Sequence, residues 1–295
     1  METDFWWIFD AMIIIVGVYI IYSNAKRGIS KVLVMGIGYI IATVAALFIS
    51  VPASQVVYEK VALQSDLAAI QRANKRVRLV ETLSRVIDQQ QLGFVADRSD
   101  MRELLTAENN THFVHSMYQY MNKRYGETAM DEERFYTIVQ EAVVDYYGDI
   151  LGEELPEYVR LNFVEKVNSD PALLEELVPR LFTVSPEEYI EETYSKEPTQ
   201  RMLQVFVYLI LFSIIMVVTA IISATLENSI FINVTYFKEH LYGGLVGCIE
   251  AFAVLVMLTM LIRMVVMLGG GELLCFNEPT IHATKIFRFL YDNLS

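Results

Sequence analysis

Four long apolar runs alternate along this chain with one long polar stretch of helical patterning. The runs fall at roughly 5–22, 32–51, 202–224 and 241–268; the third carries no charge and the fourth is interrupted only by Glu250 and Arg263. A helix needs about 20 mostly apolar residues to cross the hydrocarbon of a bilayer, so each run predicts a transmembrane helix. Between Ala53 and Gln200 the pattern changes. Phe135, Ile138, Val139, Ala142, Val143 and Tyr146 recur at three- and four-residue steps, which predicts helices with one buried face. Asp170-Pro171, Ser185-Pro186-Glu187-Glu188 and the pair Asp100 and Glu103 read as helix starts. Gly126, Gly148 and Gly152 read as ends or turns. No strand-like alternation occurs, and a first insert helix over roughly 55–91 is expected to continue the second span.

The predicted fold is all-α: a four-helix transmembrane bundle with a large soluble helical insert between spans two and three. Residues 1–52 hold the first two spans, 53–200 the insert, 201–268 the last two spans, and 269–295 an amphipathic interfacial C-terminal helix. That last helix starts after Gly269-Gly270-Gly271, at Asn277-Glu278-Pro279-Thr280. Its apolar stripe is Ala283, Ile286, Phe287, Leu290 and Leu294, opposite Lys285, Arg288 and Asp292, a pattern suited to lying on a membrane. Ile230, Phe231, Ile232, Val234, Tyr236 and Phe237 form a second interfacial segment, too short to span.

Charge sharpens the division. Of a net −13, the insert holds nearly all, with 27 acidic and 15 basic residues between Ala53 and Gln200. Such an excess speaks against nucleic acid and against a surface that hugs anionic lipid, and for a solvated domain. The only two cysteines, Cys248 and Cys275, lie in or beside the last span, so no disulfide framework holds the insert. Glu2 and Asp4 stand where a cleavable signal would carry positive charge, so the first run is expected to stay in the membrane. Lys26, Arg27 and Gly28, with Lys31, make the first short loop positive and therefore cytoplasmic. The insert is then extracytoplasmic.

Three ionisable residues fall inside the spans: Asp10, Glu250 and Arg263. Such residues are costly in hydrocarbon and mark either function or a pairing within the bundle. Asp10 and Arg263 are expected at similar depth near the outer surface, where they either pair or reach separately to water and headgroups. Glu250 shares a helix face with Gly243 and Gly247, whose spacing lets another backbone approach closely. It is either hydrogen-bonded in a helix interface or lines a polar path. Gly38, Ala42 and Ala46 form a small-residue ridge on the second span, and Gly17 lies on the Asp10 face of the first. His112 and His115 have a metal-compatible spacing without matching acidic partners, the cluster Arg72, Lys75, Arg76, Arg78 and Arg85 reads as a solvated face, and Asn109-Asn110-Thr111 fits a glycosylation acceptor by a pattern short enough to recur by chance. No catalytic motif and no cofactor or metal site emerges.

The order of these features resembles the CvpA (colicin V production protein) family of bacterial inner-membrane proteins. Asp10 in the first span, Lys26-Arg27-Gly28 before the second, Gly243-Gly244-Leu245-Val246-Gly247 at the entry to the fourth, and Thr284-Lys285-Ile286-Phe287-Arg288-Phe289-Leu290-Tyr291 carry the resemblance. It covers roughly the first 55 and last 95 residues; family members usually have a short link where this chain has its insert. The resemblance implies a multi-pass membrane protein tied to bacteriocin (toxin) production or export, or to envelope upkeep. The expected role is a non-enzymatic scaffold or accessory, with the bilayer, an envelope protein at the insert and further copies of itself as partners. The alternative is a channel or transporter component with a polar path through Asp10 and Glu250.

Overall fold

A computed structural model describes residues 5–106, 112–182, 185–226, 232, 234–269 and 276–294. Asn109-Asn110-Thr111, Ile230, Phe231, Gly270, Gly271, Cys275 and the N-terminal Glu2 and Asp4 lie outside the described residues. Among those described, every regular element is a helix. Four helices are long and apolar enough to cross a membrane: Trp7–Arg27, Ile29–Arg76, Pro186–Leu226 and Tyr236–Leu268. The second and third contain five-residue π segments, Tyr58–Ala62 and Glu191–Ser195. The chain divides into two compact units, residues 1–58 with 200–295, and residues 59–199.

The first unit is built on α1 (Trp7–Arg27), α2 (Ile29–Val57), α11 (Lys196–Leu226) and α12 (Tyr236–Leu268). The loop expected between the first two spans is one residue, Gly28, with φ +81°. That conformation is open to glycine and strained for other residues. Lys26 and Arg27 belong to the last turn of α1, where a cation favours the negative end of the helix dipole. Helix α12 packs on both α1 and α2. Ala42 and Ala46 are fully buried, in one cluster with Val205, Tyr208 and Phe212 of α11 and Val256 and Met260 of α12. Outward-facing Ile14, Ile15, Val18, Phe48, Ile214, Val217 and Ile221 are each about half exposed or more. In water so large an apolar surface would drive association; acyl chains match it.

The C-terminal segment is two short helices, α13 (Glu278–His282) and α14 (Phe287–Asn293), where one amphipathic helix is expected. Asn277 caps α13 as its sequence suggests, accepting from the Thr280 amide at 2.9 Å. Thr284 ends it, donating to the Ile281 carbonyl and accepting from the Arg288 amide. Of the expected stripe, Ala283 and Ile286 face out. Phe287 and Tyr291 are buried with Phe9, Ile13, Ile262, Val266 and Ile281.

The second unit has its own core. Its helices are α3 (Leu63–Arg76), α4 (Leu79–Asp88), α5 (Arg98–Thr106), α6 (Phe113–Tyr125), α7 (Glu132–Glu154), α8 (Glu157–Ser169), α9 (Pro171–Arg180) and α10 (Pro186–Ile190). Helix α7 touches α3, α4, α6 and α8. Of the expected stripe it buries Phe135, Val139 and Val143, with Ile138, Ala142 and Tyr146 partly buried against the core, and it also buries Tyr147. The helix start at Asp170 holds, its carboxylate accepting from the Ala172 amide. Three local expectations fail and one holds in part. Asp97, not Asp100, caps α5, while Asp100 pairs with Arg124. Helix α10 starts at Pro186 as expected, but Ser185 sits at φ +62° without a capping bond. Gly148 and Gly152 lie inside α7, where α8 packs Phe163, Val164 and Arg160 against them. The expected 55–91 helix breaks at Val77 and Arg78.

Charges in this unit are mostly spent on its own surface. Arg72 and Arg76 hold Glu153 and Glu154, and Arg72 keeps the Glu154 carboxyl below its ordinary range. His115 bonds Glu132 and Gln119. Glu175 is different, because it covers the first amides of α6, Phe113 and Val114, from a half-buried place. Burial, the largest influence, raises its pKa, although those amides pull the other way. A carboxyl raised on folding favours the folded state at low pH, and the advantage vanishes as pH climbs through the folded pKa. Wild type should therefore gain stability over Glu175→Gln as pH falls from about 7 toward about 4, by at most ~1.4 kcal/mol per pH unit. Thermal unfolding of both proteins across that range reads the difference; parallel curves would contradict it.

Candidate functional site: polar anchors inside the apolar helices

Helices α1 and α12 meet on glycine. A Cβ on Gly243 would stand 2.6 Å from the Asn24 carbonyl oxygen, and one on Gly247 2.9 Å from the Ile21 Cα. Only a bare backbone allows α12 to lie so near α1, which is the use of small residues four apart. One turn on, Glu250 accepts a hydrogen bond of 2.6 Å from the Asn24 Nδ2. The Tyr39 hydroxyl of α2 lies beside the same carboxylate. Three helices thus meet at one polar point. Below it, the His240 Nδ1 donates to the Ala25 carbonyl at 2.7 Å, and its ring meets Tyr236 edge-on at 4.2 Å. Its Nε2 is buried without a partner.

On α2 the small residues serve the same end. A Cβ on Gly36 would collide with Val246, and one on Gly38 with Thr219 of α11. Gly17 is the exception among the expected packing positions. Nothing lies within 4 Å of where its Cβ would be, so it is no contact.

Asp10 and Arg263 stand toward the same end of the unit but make no ion pair with each other. They hold opposite ends of α14. Asp10 accepts from the amides of Lys285, Ile286 and Phe287 at 2.9, 3.0 and 2.9 Å. Arg263 donates to the carbonyls of Tyr291 and Leu294 at 2.7 and 2.9 Å, and its guanidinium lies 4.7 Å from the centre of the Tyr291 ring. The physical reason is plain. A short helix offers unpaired amides at its start and unpaired carbonyls at its end, and its dipole favours an anion at the first and a cation at the second. Each charge finds several polar partners there instead of one. Phe287 stacks on Phe9 at 5.2 Å and completes the fastening.

No protein-family model, curated protein or solved structure matches this chain.

Among the described residues no three His, Cys, Asp or Glu side chains converge to hold a metal ion. Each in-span ionisable residue picked out by its cost in hydrocarbon sits at a helix junction. Sequence reasoning missed the partners of Glu250, Asn24 and Tyr39, and the nearby His240. Asn24 had a usable signal, since an amide one turn before the positive turn faces the Gly243–Gly247 side. The backbone partners of Asp10 and Arg263 had none, because any residue supplies an amide or a carbonyl.

Proposed function

We propose that this chain is a non-catalytic multi-pass membrane scaffold or accessory factor of the colicin V production type, serving bacteriocin production or export, or envelope upkeep. It presents residues 59–199 as an acidic, water-soluble helical domain on the extracytoplasmic side, for contact with an envelope protein. One observation carries the reading: Asp10, Glu250 and Arg263 each fasten one helix to another, so the charges that a transport path would use are engaged in assembly. Lys26 and Arg27, in the last turn of α1, support a cytoplasmic first turn and hence the outward placing of the insert. A self-contained core and the −13 chain charge support a solvated domain.

Purified protein in liposomes tests this against the channel alternative. The scaffold reading expects ion flux no greater than through protein-free vesicles. A flux that disappears in Glu250→Gln would replace it with the polar path.

A further inference from the structure

We propose that a cleft among α11, α12 and α14 binds the phosphate of an anionic phospholipid. The cleft has a volume of about 120 Å³, and its polar lining is Arg201, Gln204 and Arg263. Val205, Met260 and Met267 supply apolar wall. No acidic side chain lines it among the described residues. The space far exceeds the roughly 15 Å³ that a single water requires.

Three features point to a phosphate ester. The first is charge. Arg263 spends two of its five N–H donors on neutral carbonyl oxygens, and among the described residues no carboxylate pairs with it. Guanidinium groups suit phosphate through charge-assisted, often bidentate bonds. The second is depth. Arg201 immediately precedes the third apolar run, and Arg263 falls five residues before the end of α12 at Leu268. The cleft therefore lies where hydrocarbon gives way to headgroups. Trp6 and Trp7, at the start of α1, mark the same end, with the Lys285 ammonium 5.9 Å from the Trp6 ring; tryptophan concentrates at that boundary. The third is the mixed lining. Cations beside methionine and valine suit a headgroup joined to acyl chains, and basic pockets between membrane helices hold anionic lipid heads. The cleft belongs wholly to the first unit.

The test uses the full chain in neutral detergent, with lipid retention read by native mass spectrometry. Phosphatidylglycerol should be retained saturably, and phosphatidylcholine should not. The double variant Arg201→Gln/Gln204→Leu leaves the Arg263 contacts with α14 in place. It should weaken phosphatidylglycerol about tenfold or more. Equal retention of the two lipids, or undiminished binding by the variant, would overturn the proposal. Displacement of the lipid by an equal concentration of inorganic phosphate would also overturn it, by making the ligand a free anion. A photoactivatable phosphatidylglycerol asks the same question without a variant. Adducts concentrated on Val205, Met260 and Met267 support the site, and adducts spread evenly over the lipid-facing helices contradict it.

Discussion

Replacing Gly247 with leucine should separate α1 from α12 and leave little folded protein in the membrane. The new Cβ would sit 2.9 Å from the Ile21 Cα and 3.0 Å from the Asn24 Cβ. The first is a backbone atom that no rotamer change can remove. The helices must part, and overpacking of this kind costs about 1–3 kcal/mol. Parting also breaks the Asn24–Glu250 bond and leaves the carboxylate with Tyr39 alone, for roughly another 1–3 kcal/mol. The sum, on the order of 2–6 kcal/mol, is a large part of what keeps an ordinary domain folded. Gly17→Leu is the internal control. It adds the same side chain to the same α1 in a place with nothing within 4 Å, and it should leave the unfolding temperature and the amount in the membrane nearly unchanged. Equal damage from both substitutions would show that the α1–α12 seam is not the constraint.

Asp10→Ala should release the C-terminal helix while the spans stay folded. Three amides lose their common acceptor at once, and a cap of this kind is worth about 0.5–2 kcal/mol for an ordinary helix. With an ionised acceptor and a partly buried site the expected loss is about 2–4 kcal/mol. Hydrogen exchange at the amides of 285–291 reads it directly: protection should collapse there and persist in α12. Asp10→Asn should fall between, since the carboxamide offers one oxygen where the carboxylate offers two. The exchange of charges, Asp10→Arg with Arg263→Asp, separates this arrangement from a direct ion pair. It points a cation at amides and an anion at carbonyls, so it should be worse than either single change, whereas a direct pair would be rescued.

How much of this was legible from residues alone follows a physical divide. The spans were legible because hydrocarbon demands long apolar runs, and all but the start of the first, at Phe5, fall within the observed helices. The packing ridges Gly38, Ala42, Ala46, Gly243 and Gly247 were legible because helical periodicity stacks small residues on one face. Gly17 shows the limit: a small residue in a span permits close approach without causing it. Asp10 and Arg263 were singled out, but neither the direct pair nor the separate reach to water and headgroups describes them, because depth fixes which residues are near one another but not which groups bond. The backbone ends of α14, invisible in a residue alphabet, offered more partners than either side chain could give the other. In the insert, the face of α7 followed from periodicity, but Gly148 and Gly152 misled. Glycine reads as punctuation in solvent, yet inside α7 it is where α8 comes close.

Thiol labelling tests most directly the proposed extracytoplasmic placing of residues 59–199. In a background with Cys248 and Cys275 replaced by serine, single cysteines would be placed at Ser99 and Asp149 of the insert, both exposed, and at Lys26 beside the first turn. A membrane-impermeant maleimide should label the two insert positions in intact cells, and Lys26→Cys only after the cells are broken. Labelling at Lys26→Cys in intact cells, with the insert positions silent until lysis, would reverse the topology and contradict the extracytoplasmic domain.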